Sequence, residues 1–259
     1  SAALPALFAS KLLGKKIVIR TGGDFLWEWY VERTGDLARL RDFYQTRMNR
    51  LNVKERVIFR LTRFLFRRAD AIIFSTKWQR DIFEKPYGLI LDKCFVIENH
   101  YPERRNLYSD VLENNSIKVF AGGARSIKWK NMPRVREAFE RLRKNGLPVA
   151  LDADTGVREQ FLRSIQFIYA VILASLGDIS PNTILEAISF GKPFIQTRET
   201  GLYDKLEDIG VWVDPQDVSD IAAKIEWLAD EKNYAEQVKK VLAFTFTHGY
   251  EEIANEILD

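Results

Sequence analysis

Short apolar runs recur along the chain, and most are followed by a polar or glycine-containing loop and then by a segment with helical periodicity. Their length and β-branched content are typical of strands. The predicted strands span residues 16–21, 69–75, 93–98, 117–120, 148–154, 169–173, 194–196 and 211–213. Because helices are predicted between successive strands, the pattern indicates an α/β fold with parallel sheets.

The chain is long enough for one large or two modest domains, since it has 259 residues and 46% of them are hydrophobic. Its charge is unevenly distributed. Residues 1–113 hold 21 Lys and Arg against 14 Asp and Glu, whereas the remainder holds 18 against 22. Residues 101–116 contain Pro102 and several asparagines, which is the composition of a linker. Together these features favour two domains.

Several classes of protein are disfavoured by the composition. The single cysteine, Cys94, excludes an internal disulfide and is compatible with a reducing cytosol. His100 and His248 lie far apart and outside any Cys/His cluster, which argues against a zinc site. No apolar run approaches the roughly 20 residues that span a bilayer. Residues 1–16 carry their positive charge on the wrong side for a signal peptide, so we expect an amphipathic helix and an N-terminally truncated domain.

Residues 174–201 combine most of the features of a ligand site. A polar loop follows the strand at 169–173, and a helix follows the loop. Ser180 is the predicted N-cap and Pro181 the first helical residue, and Gly191 ends the helix. In open parallel sheets such a loop lies at the carboxyl ends of the strands, where ligands bind.

Two carboxylates bracket this helix start. Asp178 lies in the loop, and Glu186 lies about a turn and a half into the helix. The free N–H groups of a helix N-terminus favour an anion such as phosphate. A carboxylate on each side suits neutral hydroxyls instead, as on a sugar and a ribose. The alternative is a capped helix with one ordinary surface glutamate.

The spacing of these residues resembles a known signature. Asp178 is followed after seven residues by Glu186-Ala187, and then by Gly191-Lys192-Pro193-Phe194-Ile195. This is similar to the motif of retaining GT-B-fold glycosyltransferases (glycosyl transferases group 1, or family 4-like), a family that includes sucrose synthases. The family has Glu at the first position, and Asp178 is shorter by one methylene.

The resemblance implies a fold and a division of the chain. It implies two Rossmann-like parallel-sheet domains that face a cleft, the first incomplete and the second trimmed. Residues 1–113 would form the acceptor-side domain and residues 114–246 the nucleotide-sugar-binding domain. Residues 247–259 would form a helix that crosses back to the first domain.

The resemblance also implies roles for residues of the second domain. Asp178 would contact hydroxyls of the donor sugar, and Glu186 would hold the ribose of the nucleotide. Arg125 and Lys130 match an Arg–Lys pair that grips the donor diphosphate, which suits a transition state that loads negative charge onto the leaving phosphate. Further donor contacts are expected from Gly122, Gly123, Ser180, Asn182 and Thr183.

In the first domain, Gly22-Gly23-Asp24 directly follows a strand, and such glycines allow a ligand to approach the backbone. The family often has His-Asp at this place, so its histidine is missing here. We expect acceptor contacts from Gly23, Asp24, Trp27, Glu28 and Asn99, with hydroxyl binding or acid–base work for Asp24. The alternatives are a tight turn followed by a core helix and, for Asn99, a turn-forming asparagine.

Residues 33–68 have helical periodicity and hold 11 Lys and Arg against 3 acidic residues. A solvated helix face is the first interpretation of this charge. A peripheral contact with anionic lipid headgroups is the second, because basic and apolar residues are interleaved and many relatives use lipid-linked acceptors. Nucleic-acid binding ranks third, since no nucleic-acid motif accompanies the charge.

The predicted function is therefore transfer of a hexose, with retention, from a nucleotide-diphosphate sugar such as UDP- or GDP-hexose to a glycan or lipid-linked acceptor. No metal and no cofactor is expected, and the expected location is cytoplasmic, at or near the inner face of the membrane. One alternative is a non-catalytic nucleotide-binding module or fragment. Another is a metal-dependent glycosyltransferase that uses the Asp-x-Asp triplet of Asp152 and Asp154.

Overall fold

Two parallel sheets form the framework of the chain. The structure is a computed structural model, and it describes residues 3–105, 117–122, 127–153 and 158–258. Within these ranges one sheet has three strands and the other has five, and neighbouring strands run parallel. The predicted α/β fold with two parallel-sheet domains is confirmed.

The first lobe holds the three-stranded sheet, in the order β1-β2-β3. Its strands are β1 (Val18–Thr21), β2 (Ala71–Phe74) and β3 (Cys94–Val96). Its helices are α1 (Ala3–Leu12), α2 (Phe25–Thr34), α3 (Leu40–Thr46), α4 (Val53–Arg68) and α5 (Lys77–Tyr87).

The second lobe holds the five-stranded sheet, in the order β5-β4-β6-β7-β8. Its strands are β4 (Lys118–Ala121), β5 (Val149–Asp152), β6 (Ala170–Leu173), β7 (Phe194–Thr197) and β8 (Val211–Val213). The helices that follow β4 in the chain are α6 (Met132–Lys144), α7 (Arg158–Ser164), α8 (Asn182–Ser189), α9 (Tyr203–Leu206), α10 (Val218–Ala229), α11 (Glu231–Ala243) and α12 (Tyr250–Leu258).

Helices cover both faces of the second sheet, which explains why its central strands have continuous apolar sequences. Every residue of β6 and β7 is buried, as expected for strands covered on both sides. One core cluster joins the sheet to α6 and α10, through Val135, Phe139, Ile221 and Ile225. The other joins it to α8, through Ile184, Leu185 and Ile188.

The basic segment 33–68 is not one helix. It contains the end of α2, all of α3, a 3₁₀ turn at Met48–Arg50 and α4. Asn52 caps α4 by accepting from the Glu55 backbone N–H, while the Glu55 carboxylate accepts from the Asn52 N–H, a reciprocal arrangement that starts the helix afresh. In α5, Pro86 lies within the last helical turn. The helix ends at Tyr87, and Gly88 after it takes the left-handed conformation that is common at this position.

The last helix packs on the first lobe. Ile253 of α12 is buried against Ile73 and Ile97 of the first lobe. Just before this helix, His248 and Tyr101 exchange backbone hydrogen bonds of 3.0 and 3.3 Å. A residue at the carboxyl end of the chain is therefore part of the first lobe's packing.

A loop of the second lobe also enters the first. The loop at residues 174–181, which we call the Asp178 loop, carries Leu176 and Ile179, and both are buried in the core cluster of the first lobe. Gly177 lies between them, and a Cβ placed there would come within 2.6 Å of the Leu40 Cβ. The loop can therefore approach α3 only because this residue has no side chain.

Asn131 fixes the backbone between β4 and α6. It is 1% exposed and has a φ of 60°, a left-handed conformation that asparagine tolerates better than most residues. Its Nδ2 donates to the Ala174 carbonyl at 2.9 Å and to the Pro215 carbonyl at 2.6 Å. One amide group thereby joins three loops at the carboxyl edge of the sheet.

We predict that Asn131→Asp destabilises the fold by about 2–4 kcal/mol, because an Asp carboxylate cannot donate and two buried carbonyls lose their partner. The measurement is the free energy of unfolding in urea. Asn49→Asp, at an exposed position, is the matched control and should change stability by less than about 0.5 kcal/mol. Equal losses in the two variants would contradict the assignment.

Candidate functional site

The helix α8 begins one residue later than predicted. Its N-cap is Pro181, with no side-chain hydrogen bond, and Asn182 is the first helical residue. Pro181 has an extended backbone (ψ 107°) and is itself the cap. Ser180 therefore lies outside the helix and does not cap it. Its Oγ is buried and has no hydrogen-bond partner among the described residues. Asn182 is exposed and Thr183 half-buried at the open helix start.

Lys130 and Asp178 form an ion pair at this helix start. Lys130 Nζ lies 2.5 Å from Asp178 Oδ2, and the two side chains are only 15% and 11% exposed. Lys130 ends the 3₁₀ turn Lys128–Lys130, and its ammonium also lies 4.4 Å from the ring centre of Trp129. Two residues predicted to act together thus meet across 48 positions of sequence.

The backbone of the Asp178 loop is held from two directions. The Asp178 N–H donates to the Glu199 carbonyl at 2.9 Å, and the Asp178 carbonyl accepts from the Gly201 N–H at 3.1 Å. On the other side, the Leu176 N–H donates to the Trp129 carbonyl at 2.8 Å. The position of the Asp178 carboxylate is therefore fixed by backbone pairing as well as by its ion pair.

Four of the five acceptor-side residues predicted in the first lobe, all except Asn99, line a cavity together with Asp178. A cavity of about 70 Å³ lies between the lobes, with Asp178 in its wall. Its other lining residues are Gly22, Gly23, Asp24, Trp27, Glu28, Leu40, Trp129, Gly177 and Ile179. Residues from both lobes, more than a hundred positions apart in the sequence, therefore line one small polar space.

Asp24 serves first as a structural residue. It is the N-cap of α2, and its carboxylate accepts from the Trp27 N–H at 3.0 Å and from the Tyr44 hydroxyl at 2.7 Å. Burial raises its pKa to about 6, although these hydrogen bonds oppose the shift. Trp27 is buried and its indole N–H donates to the Ala38 carbonyl at 2.9 Å, so it is a core residue whose edge reaches the cavity.

Glu28 is the acceptor-side carboxylate with the more perturbed titration. Its pKa is raised to about 7, mainly by burial and also by the negative charges of Asp24 and Asp178, while a backbone hydrogen bond at Asp24 and the charge of Lys130 oppose the shift. The Gly23 backbone passes close by, because a Cβ on this glycine would lie 3.3 Å from Glu28 Oε1. Such a carboxyl exchanges its proton near neutral pH, which is the property of a general acid or base.

Glu186 lines a second, larger cavity. It is 6% exposed and borders an interlobe space of about 480 Å³. The Asn99 Oδ1 accepts from Arg20 Nη2 at 3.2 Å in its wall, and the rings of His100 and Tyr250 stack with centres 4.3 Å apart. Also in the lining are Arg20, Pro102, Asn182, Leu185 and Ile253. Glu186 and Asp178, predicted to act on one donor, therefore line two different cavities, and Asn182 of the α8 start borders the one with Glu186.

Some predicted site residues lie outside the described ranges, namely Gly123, Arg125 and Asp154. Gly122 directly follows β4, and its N–H donates to the Asp152 carbonyl at 2.7 Å. A Cβ at Gly122 would meet Met132 Cε at 2.8 Å, so a larger residue there would require the Met132 side chain to shift. No group of three or more His, Cys, Asp or Glu able to hold a metal occurs in the described part of the chain.

Sequence reasoning did not find the residues that connect the lobes. Glu199 is 4% exposed and pairs with Arg39 and Arg41 of the first lobe. Lys205 pairs with Glu98 of the first lobe at 2.6 Å. The sequence shows that Glu199 lies in a loop directly after a buried strand. This position does not indicate which residue Glu199 pairs with.

Similarity of this chain to known proteins is found in its structure and not in its sequence. No protein-family model matches the sequence, and no curated protein matches it. Among solved structures, HepE of Anabaena, crystallised with UDP and glucose, matches with a TM-score of 0.71 at 16% identity, over 99% of this chain and 74% of HepE.

Two further solved structures agree. Sucrose-phosphate synthase from Thermosynechococcus elongatus matches with a TM-score of 0.63 at 14% identity, over 98% of this chain and 75% of the synthase. The lipopolysaccharide outer core galactosyltransferase WaaB matches with a TM-score of 0.60 at 15% identity, over 99% and 72%. At these identities the likeness shows the fold alone, and the prediction of a GT-B-like fold is confirmed.

The raised pKa of Glu28 predicts a pH dependence of stability. Because the folded protein holds this proton more tightly than the unfolded chain, the carboxyl's contribution to stability is complete below about pH 4.5 and is lost as the pH rises through about 7. Glu28→Gln cannot lose a proton. We expect the urea midpoint of the wild type to fall more than that of Glu28→Gln between pH 4.5 and pH 8.

The exposed-site variant Glu226→Gln is the control for this comparison and should follow the wild type. Parallel pH profiles for the wild type and Glu28→Gln would show that the carboxyl is not desolvated.

Proposed function

We propose that this protein transfers a sugar from a nucleotide-diphosphate sugar to an acceptor hydroxyl. The observation that carries the proposal is the Lys130–Asp178 pair, held at the start of α8 and facing Glu28 across a cavity between the lobes. The GT-B-like fold supports it, and the matching HepE structures contain UDP, or UDP-glucose. The donor proposed here is accordingly a UDP- or GDP-hexose.

In the proposed reaction the second lobe binds the donor. The Lys130 ammonium and the open N–H groups at the start of α8 stabilise the negative charge that develops on the leaving diphosphate. Arg125 is proposed to share this task. Asp178 accepts from hydroxyls of the donor sugar, and Glu186, in the larger cavity, accepts from those of the ribose.

The first lobe is proposed to bind the acceptor. Glu28 and the Gly22-Gly23 backbone lie opposite Asp178, where an acceptor hydroxyl would meet the donor sugar. Both Asp24 oxygens already accept hydrogen bonds within the protein, so Glu28 is the better candidate for contact with that hydroxyl. We further propose that the reaction retains the anomeric configuration. We also propose that it needs no metal ion, since the positive charges of Lys130 and Arg125 would neutralise the diphosphate instead.

Calorimetry with UDP and GDP, together with a product assay on their sugars, tests this proposal against a non-catalytic nucleotide-binding module. Nucleotide binding with transfer or slow donor hydrolysis supports the enzyme. Binding without any turnover favours the module, and absence of binding contradicts both.

We predict that Lys130→Ala lowers sugar transfer about 10²- to 10³-fold, the usual cost of removing one group that stabilises transition-state charge. The measurement is kcat with saturating donor. Lys144→Ala, at the exposed end of α6, is the matched control and should keep full activity.

Activity in EDTA should equal activity without it. Loss with EDTA would instead favour a metal at Asp152 and Asp154.

We also propose that the first lobe binds an anionic lipid surface through α1 and α4. Apolar side chains are exposed on both helices, at Phe8, Leu12, Val57, Leu61 and Phe64. On α4 they lie among exposed arginines, Arg56, Arg60, Arg63, Arg67 and Arg68. A face that is both apolar and strongly basic complements an anionic interface. No helix in the described ranges is long and apolar enough to cross a membrane.

The arginines on this face are not equivalent. Arg63 and Arg67 place their guanidinium groups within 3.6 Å of the Cβ position at Gly88, which caps the carboxyl end of α5. They favourably oppose that helix's terminal partial charge. Arg60 forms no hydrogen bond or ion pair within the described residues, and Arg68 only lies over the Phe64 ring, so these two are the better test positions.

We predict that Arg60→Gln/Arg68→Gln weakens binding to phosphatidylserine-containing vesicles roughly 30-fold, at about 1 kcal/mol for each basic residue near the surface. The measurement is flotation with vesicles of graded phosphatidylserine content. Arg143→Gln/Lys144→Gln, at the end of α6 in the second lobe, is the charge-matched control. Failure of the wild type to float with anionic vesicles would contradict the proposal.

A further inference from the structure

The loop at residues 198–202, which we call the Glu199 loop, forms a single unit with the Asp178 loop. Asp178 and Thr200 form a parallel bridge, with the Asp178 N–H donating to the Glu199 carbonyl and the Gly201 N–H donating to the Asp178 carbonyl. Displacement of the Glu199 backbone would therefore displace the backbone that carries the Asp178 carboxylate.

The Glu199 side chain is held by the opposite lobe. Its carboxylate is buried, with Arg39 Nη1 at 3.6 Å from Oε1 and Arg41 Nε at 3.3 Å from Oε2. Arg39 also reaches Asp214, at 3.0 Å from each carboxylate oxygen. Burial raises the pKa of Glu199, and the two guanidinium groups oppose that shift.

Leu40, the residue between these two arginines, forms a hydrogen bond with the Asp178 loop itself. The Leu40 N–H donates to the Leu176 carbonyl at 3.1 Å, and both residues are buried in the first-lobe core. Three consecutive residues, 39 to 41, thus hold both loops.

An ion pair with a buried carboxylate contributes little net stability, since desolvation of the carboxylate offsets the attraction, and in some proteins its effect is to fix one geometry. Here the geometry fixed is that of the loop carrying Asp178. We infer that Glu199, through Arg39 and Arg41, is a positioning residue that sets the place of Asp178 when the lobes are in contact. The inference rests on the proposed function for its effect on turnover, but not for its effect on the loop.

Hydrogen exchange tests the effect on the loop without any substrate. In Glu199→Gln, amide exchange over residues 174–180 should become at least about tenfold faster, while exchange in α10 stays unchanged. Arg41→Gln alters a half-exposed side chain, and it should give the same pattern if Glu199→Gln folds poorly. Asp208→Asn, at an exposed position, is the control. Unchanged exchange at 174–180 in both variants would overturn the inference.

A double-mutant cycle tests the effect on transfer. Glu199→Gln should lower kcat about 10- to 100-fold, as expected for a small displacement of a reacting group, with the UDP dissociation constant changed less than threefold. In the Asp178→Asn background the same substitution should have almost no further effect, because both act on one group. Fully multiplicative losses would overturn the inference.

The two experiments separate the possible failures. A wild type that transfers no sugar but shows the expected exchange pattern contradicts the proposed function and supports the positioning of the loop. A wild type that transfers sugar, with neither the exchange change nor the coupling, supports the function and overturns the positioning.

Discussion

The arrangement of the site depends on the burial of Leu176 and Ile179, two residues of the second lobe, in the apolar core of the first. Removing a Leu or Ile side chain from water is worth about 1.5–3 kcal/mol, so the two together contribute roughly 3–6 kcal/mol to holding the lobes in contact. An exposed ion pair between the lobes contributes at most about 1 kcal/mol. Apolar burial therefore decides that the lobes meet, and charges decide how they are aligned.

Gly177 makes this burial compatible with the site. It lies between the two buried residues and next to Asp178, and any side chain there would collide with Leu40. One short segment consequently anchors the second lobe in the first and presents Asp178 to the cavity. Neighbouring residues of one loop thus have a structural and a chemical role. A change in the packing of residue 177 would therefore also displace residue 178.

Much of the fold could be predicted because its signals are local. The strand at Val211–Val213 lies at the residues where the sequence predicts it, since a short apolar run between polar loops defines such an element. The start of α8 was misplaced by one residue, because Ser180-Pro181 satisfies the rules for a cap although Pro181 takes the extended conformation. The interlobe pairs were missed because contacts such as Arg39–Asp214, 175 positions apart, leave no local pattern.

Carboxylates outnumber cations among the described residues of the site, so an incoming anion must compete with one of them for Lys130. Three carboxylates, Asp24, Glu28 and Asp178, lie near one described ammonium group, that of Lys130, and this group is already paired with Asp178. Glu28 relieves the excess negative charge by keeping its proton up to about pH 7. In the proposed reaction a diphosphate would draw Lys130 away from Asp178, and the hydroxyls of the donor sugar would then satisfy the Asp178 carboxylate.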